Sequence, residues 1–445
     1  MVWESKKYPA HYGDKKEPYS RSAVVGNLIF LSGVTGITLE TGDVPSDHVE
    51  DQMVACLDNI RLAVEEAGGS MNNIIKTFML LKNLEDYSPM RKTELEYYQK
   101  HAPRLVEDPP ASTFMQVKSL AKPHYLAGID AIAVISRDKI PGWEADYFPM
   151  RYGGVKQVYP NLPPGRGMFS KFVTVGNLIF CSGSAGRTLE TGDVPSNKLE
   201  DQMNVALDKV RLAMEEANSS MNNLIKIVHL IRNLEDIPQM WEVERAYYRN
   251  HAPLLIEEPP ASVVIQPQSL ARPHYLIELD VMGVASRDRT GWEVKKYPLY
   301  YGVKQTYAKS VTVGNIIFIS AMGGQSPDAG RFRKDDLGDQ IVVALDKIRL
   351  ILEQAGGSMN NIIKTVIYLK RLEDYSHMRE IESQYYQKYA PLLVEHPPAS
   401  TFIQPASLPN PDYLFEVEVV GVISREDALM WQHLGGRYLA GLGAA

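Results

Sequence analysis

The heptapeptide SMNNIIK at residues 70–76 returns as SMNNLIK at residues 220–226 and as SMNNIIK at residues 358–364. A second motif, PPAS, follows each of them, at residues 109–112, 259–262 and 397–400. Both motifs are displaced by 150 residues and then by 138 residues. Two motifs with one order and one set of offsets indicate three diverged copies of one domain, fused end to end.

The unequal offsets place an insertion in copy two, near YPNLPPGRG at residues 159–167. Each copy then has the length of an ordinary small domain. We expect the copies to span residues 2–139, 142–290 and 291–426, followed by a glycine-rich tail at residues 427–445.

Composition and charge argue against several function classes. The 445 residues carry a net charge of −7 and show no basic stripe, so we expect no nucleic-acid partner. No apolar run is long enough to cross a bilayer, and the N-terminus lacks the apolar segment of a secretory signal. Cys56 and Cys181 occupy different points of the repeat, and no metal-binding Cys/His spacing occurs. We therefore expect a cytoplasmic protein without a metal site or a membrane partner.

Copy one has the clearest secondary-structure pattern. Apolar residues at positions 49, 53, 57, 60 and 64 follow helical spacing, which predicts a helix over residues 48–67. The other expected elements are strand pieces at 23–32, a strand at 74–81, a helix from an N-cap at Ser88 to about His101, and strands at 112–117 and 126–135. The order β-β-α-β-α-β-β predicts an α+β fold with the helices on one face of the sheet.

This order of elements, with Ser-Gly closing an early strand and Pro-Pro-Ala opening a late one, resembles the RidA (YjgF) family. The resemblance covers nearly the whole chain and implies three chorismate-mutase-like domains arranged as a single-chain pseudo-trimer, alone or as a pair of such rings. It implies ligand clefts between neighbouring copies. It also implies cofactor-independent hydrolysis of enamines or imines with release of ammonia, and some members of the family are aminomuconate deaminases.

The resemblance carries the family's site residues over slot by slot. The tyrosine slot holds Tyr19, Phe169 and Tyr307, the serine slot holds Ser32, Ser182 and Ser320, and the glutamate slot holds Gly128, Glu278 and Glu416. In the family, an arginine follows Pro-Ala and binds the substrate carboxylate. Here that position is serine in every copy: Ser112, Ser262 and Ser400. Ordinary amino-acid-derived imines therefore lose their expected anchor.

Other cations recur near these slots. Three residues before the tyrosine slot, each copy has a basic residue: Lys16, Arg166 and Lys304. Arg91 and Arg379 share a position on the second helix where copy two has Trp241. Because arginine pairs well with carboxylates, we expect a small carboxylate substrate, and the specific expectation is 2-aminomuconate or an analogue from aromatic-compound degradation.

Copy three keeps all the expected side chains, so we expect a cleft with its residues to be the working site. Glu416 would move the proton, Tyr307 and Ser320 would position substrate and water, and Arg379 and Lys304 would hold carboxylates. Replacing Glu416 is then expected to cost more activity than replacing Glu278. The remaining candidates for substrate binding are Ser112, Ser262, Ser400, Tyr19, Ser32, Glu278 and Arg91.

Two other functions stay open at the level of sequence. A Ser–Lys pair could hydrolyse a cyclic amide. A non-catalytic pseudo-trimer could bind a small acid or another protein, and the missing arginine favours this alternative most. The repeated lysines Lys76, Lys226 and Lys364 are interpreted as structural residues on the solvent face of their strands.

Overall fold

The computed structural model describes residues 5–12, 15–135, 143–151, 166–188, 191–301, 303–325 and 333–423. The expected tail at 427–445 lies outside these ranges, as do all but the last two residues of the expected insertion at 159–167. Within the described ranges, none of the helices has both the length and the apolar character that a bilayer crossing needs.

The same series of elements occurs in each copy, except that one long strand of copy three stands where the other copies have two short strands. Copy one consists of β1 (Ser5–Tyr12), β2 (Lys15–Val25), β3 (Leu28–Leu31), β4 (Val34–Thr35), α1 (Val49–Glu66), β5 (Ile74–Leu81), α2 (Tyr87–His101), α3 (Arg104–Glu107), β6 (Ala111–Gln116) and β7 (Ala127–Val134). Copy two consists of β8 (Ala145–Arg151), β9 (Arg166–Val175), β10 (Leu178–Cys181), β11 (Ser184–Ala185), α4 (Leu199–Glu216), β12 (Leu224–Ile231), α5 (Ile237–His251), α6 (Leu254–Glu257), β13 (Ala261–Ile265) and β14 (Ile277–Val284). Copy three consists of β15 (Val294–Tyr301), β16 (Val303–Val313), β17 (Ile316–Gly323), α7 (Leu337–Gln354), β18 (Ile362–Leu369), α8 (Tyr375–Tyr389), α9 (Leu392–Glu395), β19 (Ala399–Ile403) and β20 (Phe415–Val422).

The first long helix of each copy packs on the sheet through one apolar face. On α1, Met53, Leu57, Ile60 and Val64 are buried in the core that the helix shares with its own sheet. Their spacing of three or four residues is the one that predicted the helix. Gly68, in the left-handed region with φ of 89°, follows the end of the helix.

Two local features differ from the sequence-based expectation. Helix α2 begins at Tyr87 after Asp86, so Ser88 lies inside the first turn and is not the N-cap. The strands that open the copies, β1, β8 and β15, are absent from the expected order. Each contains a proline at a shift in its pairing with the next strand: Pro9, Pro149 and Pro298. Proline cannot donate to the ladder, so these residues interrupt the pattern by which a strand is recognised.

The three copies close into one ring through parallel strand pairs. In each copy, the strand that begins in PPAS pairs with the strand that carries the tyrosine slot of the next copy. The paired residues are Ala111 with Ser170, Ala261 with Ala308, and Ala399 with Ser20. Because copy three pairs back onto copy one, the ring is closed within a single chain, and the expected α+β pseudo-trimer is confirmed.

The repeated lysines lie near the axis of this ring, so the expected solvent-facing position is wrong. Each lysine forms an ion pair with a carboxylate on the last strand of the next copy: Lys76 with Asp280 at 2.5 Å, Lys226 with Glu418 at 2.7 Å, and Lys364 with Asp130 at 2.5 Å. The inner face of each sheet is enclosed by the two other copies, and the sequence of one copy does not reveal that enclosure.

Candidate active site

The residues of the serine slot join neighbouring copies at the base of three clefts. The Ser182 hydroxyl accepts a hydrogen bond from the Ser112 backbone N–H at 2.7 Å and donates one to the Ser170 carbonyl at 2.5 Å. The Ser262 N–H donates to Ser320, and the Ser400 N–H donates to Ser32, at the same distance of 2.7 Å. Each of these hydroxyls is buried and links the two strands that close the ring.

An arginine on the second helix reaches the serine that replaces the family's anchor. Nη2 of Arg91 donates to the Ser112 hydroxyl at 3.2 Å. Nη2 of Arg379 donates to the Ser400 hydroxyl at 3.0 Å. In two of the copies, a guanidinium group therefore lies beside the PPAS serine, although it arrives from a helix and not from the strand.

Cleft A lies between copies one and two and contains both a guanidinium group and a carboxyl group. Arg91 and Ser112 of copy one, together with Phe169 and Glu278 of copy two, line a cavity of about 330 Å³. Burial raises the pKa of Glu278 to about 7, although the nearby positive charge of Lys209 opposes this shift. The carboxyl group is thus able to donate or accept a proton near neutral pH.

A glycine makes room for the carboxyl group in cleft A. A Cβ atom on Gly183 would lie 2.0 Å from Oε1 of Glu278. Burial also lowers the pKa of Lys209 to about 7. The lysine and the carboxyl group therefore titrate in the same pH range.

Cleft B is lined by copy three where it faces copy two, and it contains the expected catalytic residues Tyr307 and Glu416. Tyr307, Lys347 and Glu416 of copy three line a cavity of about 390 Å³. Burial raises the pKa of Glu416 to about 8 and lowers that of Lys347 to about 8. On the copy-two side, Trp241 stands where the other copies have arginine, and its ring stacks on Tyr307 with centroids 6.0 Å apart.

Cleft C lies between copies three and one and contains the second guanidinium group. Arg379 lies over the ring of Tyr19, with the guanidinium carbon 5.8 Å from the ring centroid. It also donates to the Tyr375 hydroxyl at 3.3 Å. The glutamate slot here is Gly128, so the cleft has the arginine and the tyrosine without that carboxyl group.

The structure separates two groups of side chains that the sequence predicted to lie together. Glu416 and Tyr307 line cleft B, and Ser320 bonds Ser262 at the same junction of copies two and three, whereas Arg379 of copy three lies at cleft C. The expected grouping of Arg379 with Glu416 is therefore corrected, because each cleft takes its second helix from one copy and its glutamate slot from the next. Cleft A pairs Arg91 with glutamate, cleft B pairs tyrosine with glutamate, and cleft C pairs arginine with tyrosine.

The structure describes one of the three basic residues that precede the tyrosine slot. The amine of Lys16 is exposed and donates to the Glu395 backbone carbonyl at 3.1 Å. The side chains of Arg166 and Lys304 lie outside the described part of the chain. The role expected for Lys304 therefore stays a prediction.

The lysines of clefts A and B were not among the site residues predicted from the sequence. Lys209 and Lys347 occupy one position of the repeat, where copy one has Asn59. Copy one is also the copy in which the glutamate slot is Gly128. The lysine and the glutamate are thus present or absent together, a signal that comparison of the three copies could have found.

Both cysteines of the chain lie in the described ranges. There, no group of three or more His, Cys, Asp or Glu side chains is arranged to hold a metal ion. Cys56 and Cys181 are buried, and burial raises the pKa of both thiols, so they are poor nucleophiles. A Ser–Lys pair was one alternative suggested by the sequence. The hydroxyl groups that Lys76 and Lys364 contact belong to threonines, Thr113 and Thr401.

Comparison with known proteins adds a family assignment. The family model described as Endoribonuclease L-PSP matches residues 13–135, 161–285 and 301–423. A RutC family protein of Pyrococcus abyssi is 33% identical over 114 residues, which are 26% of this chain and 84% of that protein. The 2-iminobutanoate/2-iminopropanoate deaminase of Escherichia coli is 33% identical over 117 residues, which are 26% of this chain and 87% of that protein. The solved structure of E. coli TdcF with bound serine covers 29% of this chain and 100% of its own, at 27% identity and a TM-score of 0.26.

Proposed function

The chain belongs to the Endoribonuclease L-PSP family, which is the RidA (YjgF) family, and from that premise we propose that it is a hydrolytic deaminase of enamine or imine carboxylates. Relatives with the names of reactive-intermediate and imine deaminases support the reaction class. One observation carries the proposal to this chain. In cleft A, a guanidinium group and a carboxyl group with a pKa near 7 line the same cavity.

The side chains of cleft A suit the steps of imine hydrolysis. Arg91, beside Ser112, would hold the substrate carboxylate by charge-assisted hydrogen bonds. The neutral carboxyl group of Glu278 would protonate the imine nitrogen and, as a carboxylate, would take a proton from the attacking water. The resulting carbinolamine would receive that proton on its nitrogen. Its hydroxyl proton would then return to the Glu278 carboxylate as the C–N bond breaks, ammonia leaves and the carbonyl group forms. Such acid–base transfer is efficient when the pKa of the group lies near the working pH.

A second carboxylate on the substrate fits the charge of this cleft. Besides Arg91, the cavity is lined by Arg187 of copy two, and the exposed Arg272 stands at the same cavity. Arginines at several points of one cavity favour a dicarboxylate over a monocarboxylate. We therefore keep 2-aminomuconate or a substituted analogue as the specific substrate proposed.

Paired arginine variants test the proposal. Arg91→Met and Arg379→Met each remove a guanidinium group from a buried glutamate, Glu94 or Glu382, at 2.7 Å. The two variants should therefore lose stability alike. Ammonia release from 2-aminomuconate and from freshly formed 2-iminopropanoate should fall by about 10²-fold in kcat/KM for Arg91→Met only.

The matched variant separates binding from folding. Equal losses of activity in Arg91→Met and Arg379→Met would show that the carboxylate is not held specifically in cleft A. Failure of the wild-type protein to release ammonia from either substrate would reject the deaminase proposal itself.

A further inference from the structure

Copy two replaces the buried arginine by a different pair of side chains. In copies one and three, the arginine bridges a glutamate of its own helix and the PPAS serine. Copy two retains the glutamate as Glu244, which is 1% exposed. Glu244 keeps a hydrogen bond from the Tyr248 hydroxyl at 3.0 Å, but a buried carboxylate that loses its cationic partner is strongly destabilising, so the loss of the arginine calls for a substitute.

His229 supplies that substitute from the neighbouring strand. Its Nε2 atom lies 2.8 Å from Oε1 of Glu244, and its Nδ1 atom lies 3.3 Å from the hydroxyl of Ser262. The imidazole ring thus bridges the same two kinds of group that the arginine bridges elsewhere. The equivalent positions are Met79 and Ile367, so histidine and tryptophan changed together in copy two. Because the hydrogen bonds around Glu244 are kept with different side chains, we infer that the structure of this cleft has been preserved and has not simply been lost.

The exchange changes what cleft B presents to a ligand. His229 is fully buried, so the group that replaces the guanidinium stays behind the wall of the cleft. Trp241 is half-buried, lies edge to face with His229 at 4.9 Å, and stacks on Tyr307 at an interplanar angle of 25°. A flat aromatic surface therefore takes the place of a cationic anchor.

Apart from the amine of Lys347, the rest of the cavity offers neutral hydrogen-bonding groups. Gln305, Gln325, Asn410 and Tyr413 line it beside Glu416. Oε2 of Glu416 is buried and has no hydrogen-bond partner in the described part of the protein. A buried polar atom that faces a cavity without a partner calls for a ligand or water. Because the carboxyl group is 4% exposed and stays largely neutral at pH 7, it can donate a hydrogen bond to a carbonyl oxygen.

We propose that cleft B is a second ligand site, specialised for an uncharged planar molecule that carries an amide or imine group, whereas cleft A takes carboxylates. The ring of such a molecule would lie against Trp241 and Tyr307. Its C=O or C=N group would accept from Glu416 or Lys347, and its N–H would donate to a carboxamide oxygen. The inference does not rest on deamination in cleft A, because the ligand is defined by binding alone.

A matched pair of probes tests the specificity. Benzamide and benzoate have the same shape and differ in charge, and titration calorimetry of the full chain measures both without any imine present. We expect the wild-type protein to bind benzamide. Tyr307→Ala should weaken this binding about tenfold, which corresponds to the loss of one aromatic contact. Phe169→Ala, at the equivalent position in cleft A, is the control and should change benzamide binding less than twofold.

A second variant converts the site. Trp241→Arg combined with His229→Ile restores the residues of copy three, and it should abolish benzamide binding and add a binding site for benzoate. The inference is overturned if the wild-type protein fails to bind benzamide at millimolar concentration, or if Phe169→Ala weakens the binding as much as Tyr307→Ala does. Should the double variant fail to fold, as judged by circular dichroism, the comparison of Tyr307→Ala with Phe169→Ala still decides. If benzamide does not bind, the proposal for cleft B fails, while the deaminase proposal for cleft A is still tested separately by ammonia release.

Discussion

The amine of Lys76 in copy one lies 2.5 Å from Oδ2 of Asp280 in copy two, and both side chains are buried near the axis of the ring. The same lysine position in each copy finds an acidic residue of the next copy. Burying two charges offsets most of their attraction, so such pairs add little net stability. Their effect is to penalise any arrangement in which a lysine meets the wrong strand. Because every copy carries both the lysine and the acid, the pairs fix how each copy docks on its neighbour.

Replacing Lys76 by methionine should lower the free energy of unfolding by about 3–5 kcal/mol, because the carboxylate of Asp280 would stay buried without its partner. Urea denaturation followed by circular dichroism measures the change. The double variant Lys76→Met with Asp280→Leu should regain most of the loss. If the double variant is no more stable than the single one, the ion pair is not the source of the effect.

Most of the fold could be predicted because its signals are local. The apolar spacing on α1 marks the helix, and the mostly apolar segment IIKTFMLL of β5 marks a buried strand. The ring could be expected from the repeat together with the family resemblance. The buried position of Lys76 could not be predicted, because the inner face of its sheet is shielded from solvent only when the two other copies are present.

The site could be predicted in its parts but not in its grouping. Tyr307 and Glu416 do line one cleft, as their slots imply. Arg379 lies elsewhere, since α8 faces the next copy around the ring while the glutamate slot faces the previous one. Comparison of slots within one copy therefore combines halves of two different clefts. The direction in which strands pair between copies decides which side chains share a cleft, and no single sequence motif reveals that direction.

Glu278→Gln should reduce deamination of imine carboxylates by about 10²–10⁴-fold, the usual effect of losing a general acid or base. Glu416→Gln should leave most of this activity. This order reverses the expectation from sequence, because the structure places Arg91 with Glu278 and not with Glu416. Steady-state ammonia release by both variants measures it. A large loss in Glu416→Gln alone would return the working site to cleft B.

Deamination by the wild-type protein should fall as the pH rises through about 7. The raised pKa of Glu278 keeps its carboxyl group protonated below that value, and the acid form is lost above it. Lys209→Met removes a nearby positive charge that lowers this pKa, so the alkaline limb of kcat/KM should move to higher pH. Lys347→Met, at the equivalent position in cleft B, serves as the control and should leave the limb in place.

In solution, the particle should contain one chain, at 49.9 kDa, or a pair of chains. The three inter-copy strand pairs are already satisfied within one chain, so a second chain has no open strand position in the ring to fill. Light scattering coupled to size exclusion measures the mass. A particle of three chains would instead indicate that equivalent copies from different chains assemble together.

Cleft C should become a working deaminase site when its missing pair is restored. It already has Arg379 and Tyr19, and it lacks the glutamate and the lysine of the other clefts. The amide of Asn59 donates to the Ile37 carbonyl at 2.8 Å, and the amine of Lys347 donates to the equivalent carbonyl in copy three at 3.0 Å, so a lysine fits this position.

A Cβ atom on Gly128 would lie 3.2 Å from the side chain of Leu120, a tight contact. The other copies keep leucine beside their glutamate, at Leu270 and Leu408, so the neighbour is compatible with the larger residue. We introduce Asn59→Lys and Gly128→Glu into the inactive Glu278→Gln variant. The resulting triple variant should have a kcat/KM about tenfold or more above that of Glu278→Gln alone. Gly128→Gln with Asn59→Lys is the matched control, because it fills the same space without an acid. Equal activity in the two triple variants would mean that arginine, tyrosine and a carboxyl group in one cleft are not sufficient for this chemistry.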